Sequence, residues 1–338
     1  MNEILREDIN DIIARFDEWK KFDGKTIFIT GATGLIGSML TRVFLEVKLR
    51  KNIDVKIVVQ VRDYEKAQRV LGQENLEIVE QDIDKAIMYD GKIDYIVHTA
   101  APTRSKFFVE KPVETLDAIV FGAKNILEFA RGKQVEKIVM LSSMEMYGLC
   151  NDMNVTEKVQ GAIDLQDTRS SYPMGKRLME MYAYDYFVEY GVNAVSARLA
   201  MCFGAGIAED DNRVHKAFCE AALGGDDIEL KSSGETVVNF IYSADAIVAI
   251  LDLLIKGESG NAYNVAGENS GFTILEMAKY IAEKNNVGVK HIGADKSFGY
   301  APDNKMVLSS EKMRSLGWTS KYDLKSALDR LMEYLKTR

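Results

Sequence analysis

Tyr172 and Lys176 stand four residues apart in Ser170-Ser171-Tyr172-Pro173-Met174-Gly175-Lys176. On a helix that spacing puts a phenol and an ammonium about one turn apart on one face. A free phenol, with a pKa near 10, is poorly matched to proton exchange at neutral pH. The adjacent cation is expected to favour its phenolate and lower it toward the working range. Ser143 follows the apolar run Ile138–Leu141 at the end of an expected buried strand and offers a hydroxyl that can hold a substrate oxygen. Glu145, two residues on, offers a carboxylate that can move a proton on a carbon next to a transient ketone. Each has an ordinary alternative: a satisfied strand-end serine, one more aromatic on a helix that also carries Tyr182, Tyr184, Tyr186, Phe187 and Tyr190, and a salt-bridged loop glutamate. The order of the motifs along the chain favours the chemical reading.

These residues need a platform, and the chain supplies one. The apolar run Thr26-Ile27-Phe28-Ile29-Thr30 leads directly into Gly31-Ala32-Thr33-Gly34-Leu35-Ile36-Gly37 and then into a helical pattern. Glycines there let the backbone approach a pyrophosphate, and the helix N-terminus faces its negative charge. Gly31, Thr33, Gly34, Leu35, Ile36 and Gly37 are therefore candidate cofactor contacts. Joined to Tyr172 and Lys176, the turn points to nicotinamide-dependent chemistry at a carbinol or ketone carbon. Strand-like runs near 26–30, 55–61, 76–79, 94–98, 136–141 and 193–199 alternate with helical stretches near 35–47, 63–71, 112–131 and 172–190. That alternation predicts an α/β fold with a parallel sheet covered on both faces. Asn261–Val265 is expected to return to the sheet. Ile9, Ile12, Ile13 and Phe16 recur at helical spacing, so residues 3–19 are expected to form an amphipathic cap.

Composition narrows the function further. The 338 residues, 47% apolar, suit one large core or two coupled ones. A net charge of -8 argues against nucleic acid or an anionic membrane as the main partner. Cys150, Cys202 and Cys219 lack metal-ligand spacing and read as reduced thiols, so no metal site is proposed. With an acidic start and no apolar run of spanning length, a cytoplasmic location is expected.

The chain resembles the extended short-chain dehydrogenase/reductases, the NAD-dependent epimerase/dehydratase family. The likeness rests on the glycine turn, Asp82-Ile83, His98-Thr99-Ala100-Ala101, Leu141-Ser142-Ser143-Met144-Glu145-Met146-Tyr147-Gly148, Tyr172-Pro173-Met174-Gly175-Lys176-Arg177 and Leu316-Gly317-Trp318. Within the family it is most like UDP-glucuronate decarboxylases and dTDP-glucose 4,6-dehydratases. The resemblance implies a Rossmann-type doubly wound parallel sheet with a smaller C-terminal substrate-binding lobe. Residues 1–23 would be the N-terminal amphipathic helix, 24–200 with about 237–266 the NAD(P)-binding domain, and 201–236 with 267–338 the substrate lobe. It further implies that Asp82 reaches the adenine amino group, Ile83 packs on the ring, and Thr99, Ala100, Ala101 and Leu199 line the cofactor. Thr103, Ser143, Met144, Glu145, Arg169, Met201 and Arg213 would face substrate. Tyr147 is expected to be structural. The helices near 112–131 and 172–190 would pair across a twofold axis into a homodimer, with Met179, Tyr182, Tyr186 and Phe187 supplying apolar area.

Cofactor and substrate choice stay open at this point. At the end of the second strand Arg62 would welcome the 2′-phosphate of NADP, whereas Asp63 in that role would bind the ribose hydroxyls of NAD; NADP is slightly favoured. Met144 stands where hexose dehydratases usually carry an aspartic acid, and a thioether cannot donate a proton to a leaving hydroxyl. Relatives that act on nucleotide sugars usually carry polar or basic residues where this chain has Met201, Val238 and Val307. Each lost charge-assisted phosphate contact is worth ~1.5–3 kcal/mol. Arg169, Arg213, Lys216 and Lys231 are candidate substitutes. Two functions follow: conversion of a nucleotide-activated sugar through a keto group, or NAD(P)H-dependent oxidation or reduction of a substrate without a diphosphate.

Overall fold

A computed structural model of the chain describes residues 1–72, 75–269, 271–293 and 305–338; the side chain of Val238, one of the substrate departures above, lies outside the described set. The chain opens with α1 (Glu3–Arg15), capped by the Asn2 side chain, and a 3-10 turn at Trp19–Phe22. Strand β1 (Thr26–Thr30) follows, then α2 (Leu35–Arg50), β2 (Lys56–Val61), α3 (Tyr64–Leu71), β3 (Glu77–Glu80) and β4 (Tyr95–His98). Next come the short α4 (Ser105–Glu110), α5 (Pro112–Lys133), β5 (Lys137–Ser143) and α6 (Ser171–Tyr190).

Seven parallel strands form the central sheet in the order Asn261–Val265, Ala194–Leu199, β5, β4, β1, β2, β3. All five residues of β1 are buried, as a strand covered on both faces requires. Alternation assigns the faces: Ile27 and Ile29 join one core with α2, while Phe28 joins the other with Ile119 and Ile126 of α5 and Met179 and Ala183 of α6. The strand order reverses at β1, so the crevice beyond the carboxyl ends of β1 and β4 is the expected ligand position. The expected strands and helices are all present, with ends moved by at most four residues.

A smaller lobe follows. Helix α7 (Val214–Leu223) and the three-stranded sheet of Met201–Phe203, Val237–Tyr242 and Gly271–Thr273 build it. Val237–Tyr242 was expected in the nucleotide-binding domain. It pairs instead with Met201–Phe203 and Gly271–Thr273, and only the helix after it, α8 (Ser243–Lys256), packs back on β5. The amphipathic cap is tied to the far end of the chain. Asp8, fully buried, accepts from the Tyr242 hydroxyl at 2.7 Å and pairs with Arg330 at 2.6 Å, while Arg15 pairs with Asp245 at 2.6 Å.

One expectation about surface needs correction. Met179 is fully buried and Tyr186 nearly so, because the phase of α6 turns both onto the sheet. The exposed apolar residues of α5 and α6 are Val113, Phe121, Met181, Tyr184, Val188 and Tyr190.

Candidate active site

At the glycine turn each glycine has a different reason. Gly31 has φ +64, and a Cβ there would lie 2.8 Å from the Cα and N of Ala100 and from Thr99 Oγ1. A Cβ on Gly37 would lie 2.5 Å from the Gly31 carbonyl. Those two set the packing of turn on strand and helix on turn. Gly34 is exposed and is the N-cap of α2, with no side chain capping the first turn. The α2 N–H groups are thus left for an anion, which is the donor set a pyrophosphate requires. Leu35 and Ile36 open α2, and Thr33 is half-buried in the turn.

The Thr30 hydroxyl ties this turn to the end of β4. It accepts from the backbone N–H groups of Thr99 and Ala100, both at 3.2 Å, and lies 2.9 Å from His98 Nδ1. A hydroxyl with two donors on it gives its own proton to Nδ1, which puts the imidazole proton on Nε2. Burial and the nearby Lys176 charge push His98 down to about 3, so it is neutral. Ala101 is half-buried and Thr103 exposed beyond it.

Further along the same edge, Ile83 is buried against Gly122, and its carbonyl accepts from Asn125 at 3.0 Å. Asp82 is exposed just after β3. Arg62 and Asp63 part company: Asp63 caps α3, accepting from Lys66 N–H at 2.8 Å, whereas Arg62 extends into solvent. These residues fit a dinucleotide.

The candidate proton-transfer groups meet where β5 ends. Ser143 Oγ accepts from Glu145 N–H at 3.2 Å and shares a hydrogen bond with the Tyr172 phenol. Leu199 lies beside Ser143 in register, and Met144 is buried next to it. Phe108 of α4 stacks on the Tyr172 ring, 4.3 Å between centroids and 8° from parallel. Tyr172 and Ser143 are brought together, and so is Glu145, whose Oε2 lies 2.8 Å from Arg169 Nη1. That contact is ionic and off-axis: among the described residues, buried Oε2 has no aligned hydrogen-bond donor.

The expected lowering of the phenol by Lys176 is not what the structure gives. Tyr172 is pushed well above the ordinary phenol range, first by burial and then by Glu145; the Ser143 hydrogen bond, Arg213 and Arg169 only partly offset this. Lys176 Nζ donates to the Leu141 carbonyl at 2.7 Å and sits 5.9 Å from the ring centroid. Burial pushes Lys176 itself down to about 8, with Glu180 opposing. Desolvation thus outweighs the pairing that the spacing suggests.

The candidate phosphate ligands Arg213, Lys216 and Arg169 are held by acidic and carbonyl partners. Arg213 forks onto Asp211 at 2.6–3.1 Å and donates to the Cys202 carbonyl; Lys216 donates to the Glu209 carbonyl at 2.9 Å and pairs with Glu220 at 2.7 Å; Arg169 holds Glu145. Lys231, Met201 and Val307 are half-buried. Tyr147 is structural: its hydroxyl donates to Asn264 at 2.7 Å and accepts from Arg198, which also forks onto Glu180. Phe108 and Glu180 carried a weak signal: Glu180 is one turn after Lys176, and Phe108 lies on a helix of only six residues. A cavity of about 690 Å³ lies apart from Tyr172, between α6 and the strand Asn261–Val265, but its Arg198 and Lys312 already have protein partners. Among the described residues no group of His, Cys, Asp and Glu is placed to hold a metal ion, and no helix is long and apolar enough to cross a membrane.

Comparison with known proteins agrees with this geometry. The family model described as the NAD dependent epimerase/dehydratase family matches residues 27–266. UDP-glucuronic acid decarboxylase 6 of Arabidopsis thaliana is 26% identical over 318 residues, covering 92% of this chain and 89% of that protein. Among solved structures, a dTDP-glucose 4,6-dehydratase from Streptomyces venezuelae with NAD bound has the same fold at TM-score 0.78 and 20% identity, over 92% of this chain and 97% of that one. A UDP-glucose 4-epimerase from Thermotoga maritima has TM-score 0.76 and 23% identity, over 92% and 98%.

Proposed function

The chain belongs to the NAD dependent epimerase/dehydratase family, and we propose that it uses a nicotinamide dinucleotide to take a nucleotide-activated sugar through a keto intermediate or to a keto product. The observation that carries this is the convergence of the Tyr172 phenol, the Ser143 hydroxyl and the Glu145 carboxylate beside the glycine turn. When bound, the oxidised nicotinamide accepts a hydride and brings a positive charge that favours a phenolate nearby. Tyr172 takes the hydroxyl proton from the reacting carbinol, and Ser143 holds the same oxygen. Lys176, anchored on the Leu141 carbonyl, keeps a cation behind the phenol. Glu145 serves the carbon-acid step, which makes the cycle redox-neutral. Buried Met144 cannot protonate a leaving hydroxyl, so decarboxylation or epimerisation is favoured over straight 4,6-dehydration.

The finer assignments rest on single features. Solvent-facing Arg62 beside a capping Asp63 supports NADP over NAD. The apolar residues exposed on α5 and α6 support a homodimer through those helices. The unbonded cysteines suit a reducing cytoplasm. A second reading, a dehydrogenase or ketoreductase whose substrate lacks a diphosphate, is favoured by one observation: Arg169, Arg213 and Lys216 are each already engaged with acid partners.

The test is to denature the purified protein, identify the dinucleotide released, and measure melting temperature with UDP, dTDP, CDP and GDP sugars. Retained dinucleotide and stabilisation by at least one nucleotide sugar support the first reading. A protein that requires added NADPH and responds to none of the four moves the assignment to the second.

A further inference from the structure

Arg169 lies in the 3-10 turn Thr168–Ser170 that leads into α6, three residues before Tyr172. The turn is pinned at its start, where Asp167 accepts from the Arg169 N–H at 2.9 Å. It packs against α4, the helix whose Phe108 covers the Tyr172 ring. From this fixed base the guanidinium reaches Glu145 at 2.8 Å, with the arginine side chain 11% and the glutamate side chain 31% exposed. Glu145 is held on its other side through its backbone, which donates to the serine that bonds the phenol. Backbone attachment fixes where the Glu145 Cα sits; it leaves the carboxylate free to turn outward. Since Glu145 Oε2 has no aligned donor among the described residues, the Arg169 charge is what keeps it turned inward. Both groups act electrostatically on Tyr172, Glu145 raising and Arg169 lowering, so the three side chains share one pocket.

Building on the keto-intermediate reading, we infer that Arg169 is a positioning residue for Glu145: it holds the carboxylate beside the Tyr172 hydroxyl, where Glu145 exchanges a proton with the carbon next to the ketone. In that step the C–H electron pair moves into the carbon–carbon bond, the ketone oxygen becomes an enolate oxygen held by the Tyr172 and Ser143 hydroxyls, and the proton rests on Glu145 until it is returned. The same contact makes Arg169 a poor diphosphate ligand, because a phosphate would have to displace a carboxylate already 2.8 Å away. Hydride transfer, which needs Tyr172 and Ser143, does not depend on Arg169; the carbon-acid step does.

The experiment uses the full chain with NAD+ or NADP+ and, as probes, UDP-glucuronic acid and dTDP-glucose. The absorbance burst at 340 nm reports hydride transfer, and product formation reports the full cycle. Arg169→Met is expected to keep the burst within about twofold and to lose turnover by roughly 10²-fold, the scale of one general acid-base group. Arg169→Lys recovers part of it. The double variant Arg169→Met/Glu145→Gln falls no further than Glu145→Gln alone, as two residues acting as one unit require. Full turnover in Arg169→Met, a burst lost in step with turnover, or multiplicative losses in the double variant each overturn the inference. If the unmutated chain gives no burst with either sugar, the proposed function fails, and crystal structures of the unmutated and Arg169→Met proteins decide this point. A Glu145 carboxylate turned away from Tyr172 in the variant, with the Ser143 bond kept, supports positioning; an unmoved carboxylate refutes it.

Discussion

Substituting two glycines of the turn, Gly31 and Gly34, separates folding from cofactor binding. In Gly31→Ala the residue must hold φ +64 with a Cβ, at a cost of roughly 1–2 kcal/mol. The new methyl would also lie 2.8 Å from two backbone atoms of Ala100 and from Thr99 Oγ1. Overpacking of that kind adds about 1–3 kcal/mol. Neither neighbour yields readily, because Thr99 Oγ1 donates to the Thr30 carbonyl at 2.6 Å and Ala100 N–H bonds Thr30 Oγ1. The total, about 2–5 kcal/mol, corresponds to a melting temperature lower by on the order of 3–7 °C for a chain of this size. Gly34→Ala is the contrasting case. Its φ is -80, and the only neighbour within 4 Å of an added Cβ is the Gly31 carbonyl at 3.3 Å. Its melting temperature is expected to stay close to that of the unmutated chain, within the ~0.5 kcal/mol typical of surface changes. The methyl would crowd the uncapped α2 N-terminus, and losing one charge-assisted contact there weakens dinucleotide affinity about 10- to 100-fold. The assay is thermal melting without ligand and fluorescence titration with NAD+, NADH, NADP+ and NADPH. Unmutated affinity in Gly34→Ala, or unmutated melting in Gly31→Ala, refutes the assignment of the turn.

Three further outcomes follow from the same geometry. Tyr172→Phe is expected to lower turnover roughly 10²–10⁴-fold in a 340 nm assay, while melting moves little because one hydrogen bond, to Ser143, is lost; unchanged turnover would refute the role of the phenol. Arg198→Met leaves Glu180 and the Tyr147 hydroxyl without their cation in a site where the Arg198 and Glu180 side chains are each 10% exposed, and breaking such a pair costs about 3–5 kcal/mol in denaturant unfolding; a loss below about 1 kcal/mol would contradict the network. Asp8 is raised by burial from 3.8 to about 6, so the folded chain binds the proton more tightly than the unfolded one. Its stabilising contribution is full below pH 3.8 and declines as pH rises through about 6, by at most about 3 kcal/mol. The difference in unfolding free energy between the unmutated chain and Asp8→Asn, measured at pH 4 and pH 7, should carry that slope, and a flat difference would show that Arg330 cancels the burial.

The sheet was legible because strands covered on both faces must be apolar at their centres, and Ile27–Ile29 and Ile138–Leu141 are unbroken apolar runs. The turn and the Tyr172–Lys176 spacing were legible because they are local. What escaped was set by distant partners. The face of α6 that holds Met179 and Tyr186 could be assigned only once the sheet beneath it was placed. Strand Asp152–Val155 is half charged or polar and finds its partner in Met306–Leu308, far along the chain. Val237–Tyr242 has strand character, but nothing in its own residues says which sheet takes it.

The sign of the Tyr172 shift has the same origin. Counting cations near the phenol predicts a lowered value, since Lys176, Arg169 and Arg213 all lie in reach. Each of those cations has an acid of its own: Glu180 acts on Lys176, Glu145 lies 2.8 Å from Arg169, and Asp211 lies 2.6 Å from Arg213. Three nearly neutral pairs exert little net field, so burial decides, and it moves the phenol up and the ammonium down. A site arranged this way resists any uncompensated charge. On the proposed mechanism, proton uptake by Tyr172 is therefore tied to the charge that develops as hydride leaves the carbinol, and the acid partners are the levers. Removing Glu145 unmasks Arg169 beside the phenol, whereas removing Arg169 also releases the carboxylate, so that the lowering and the raising influence on Tyr172 are lost together.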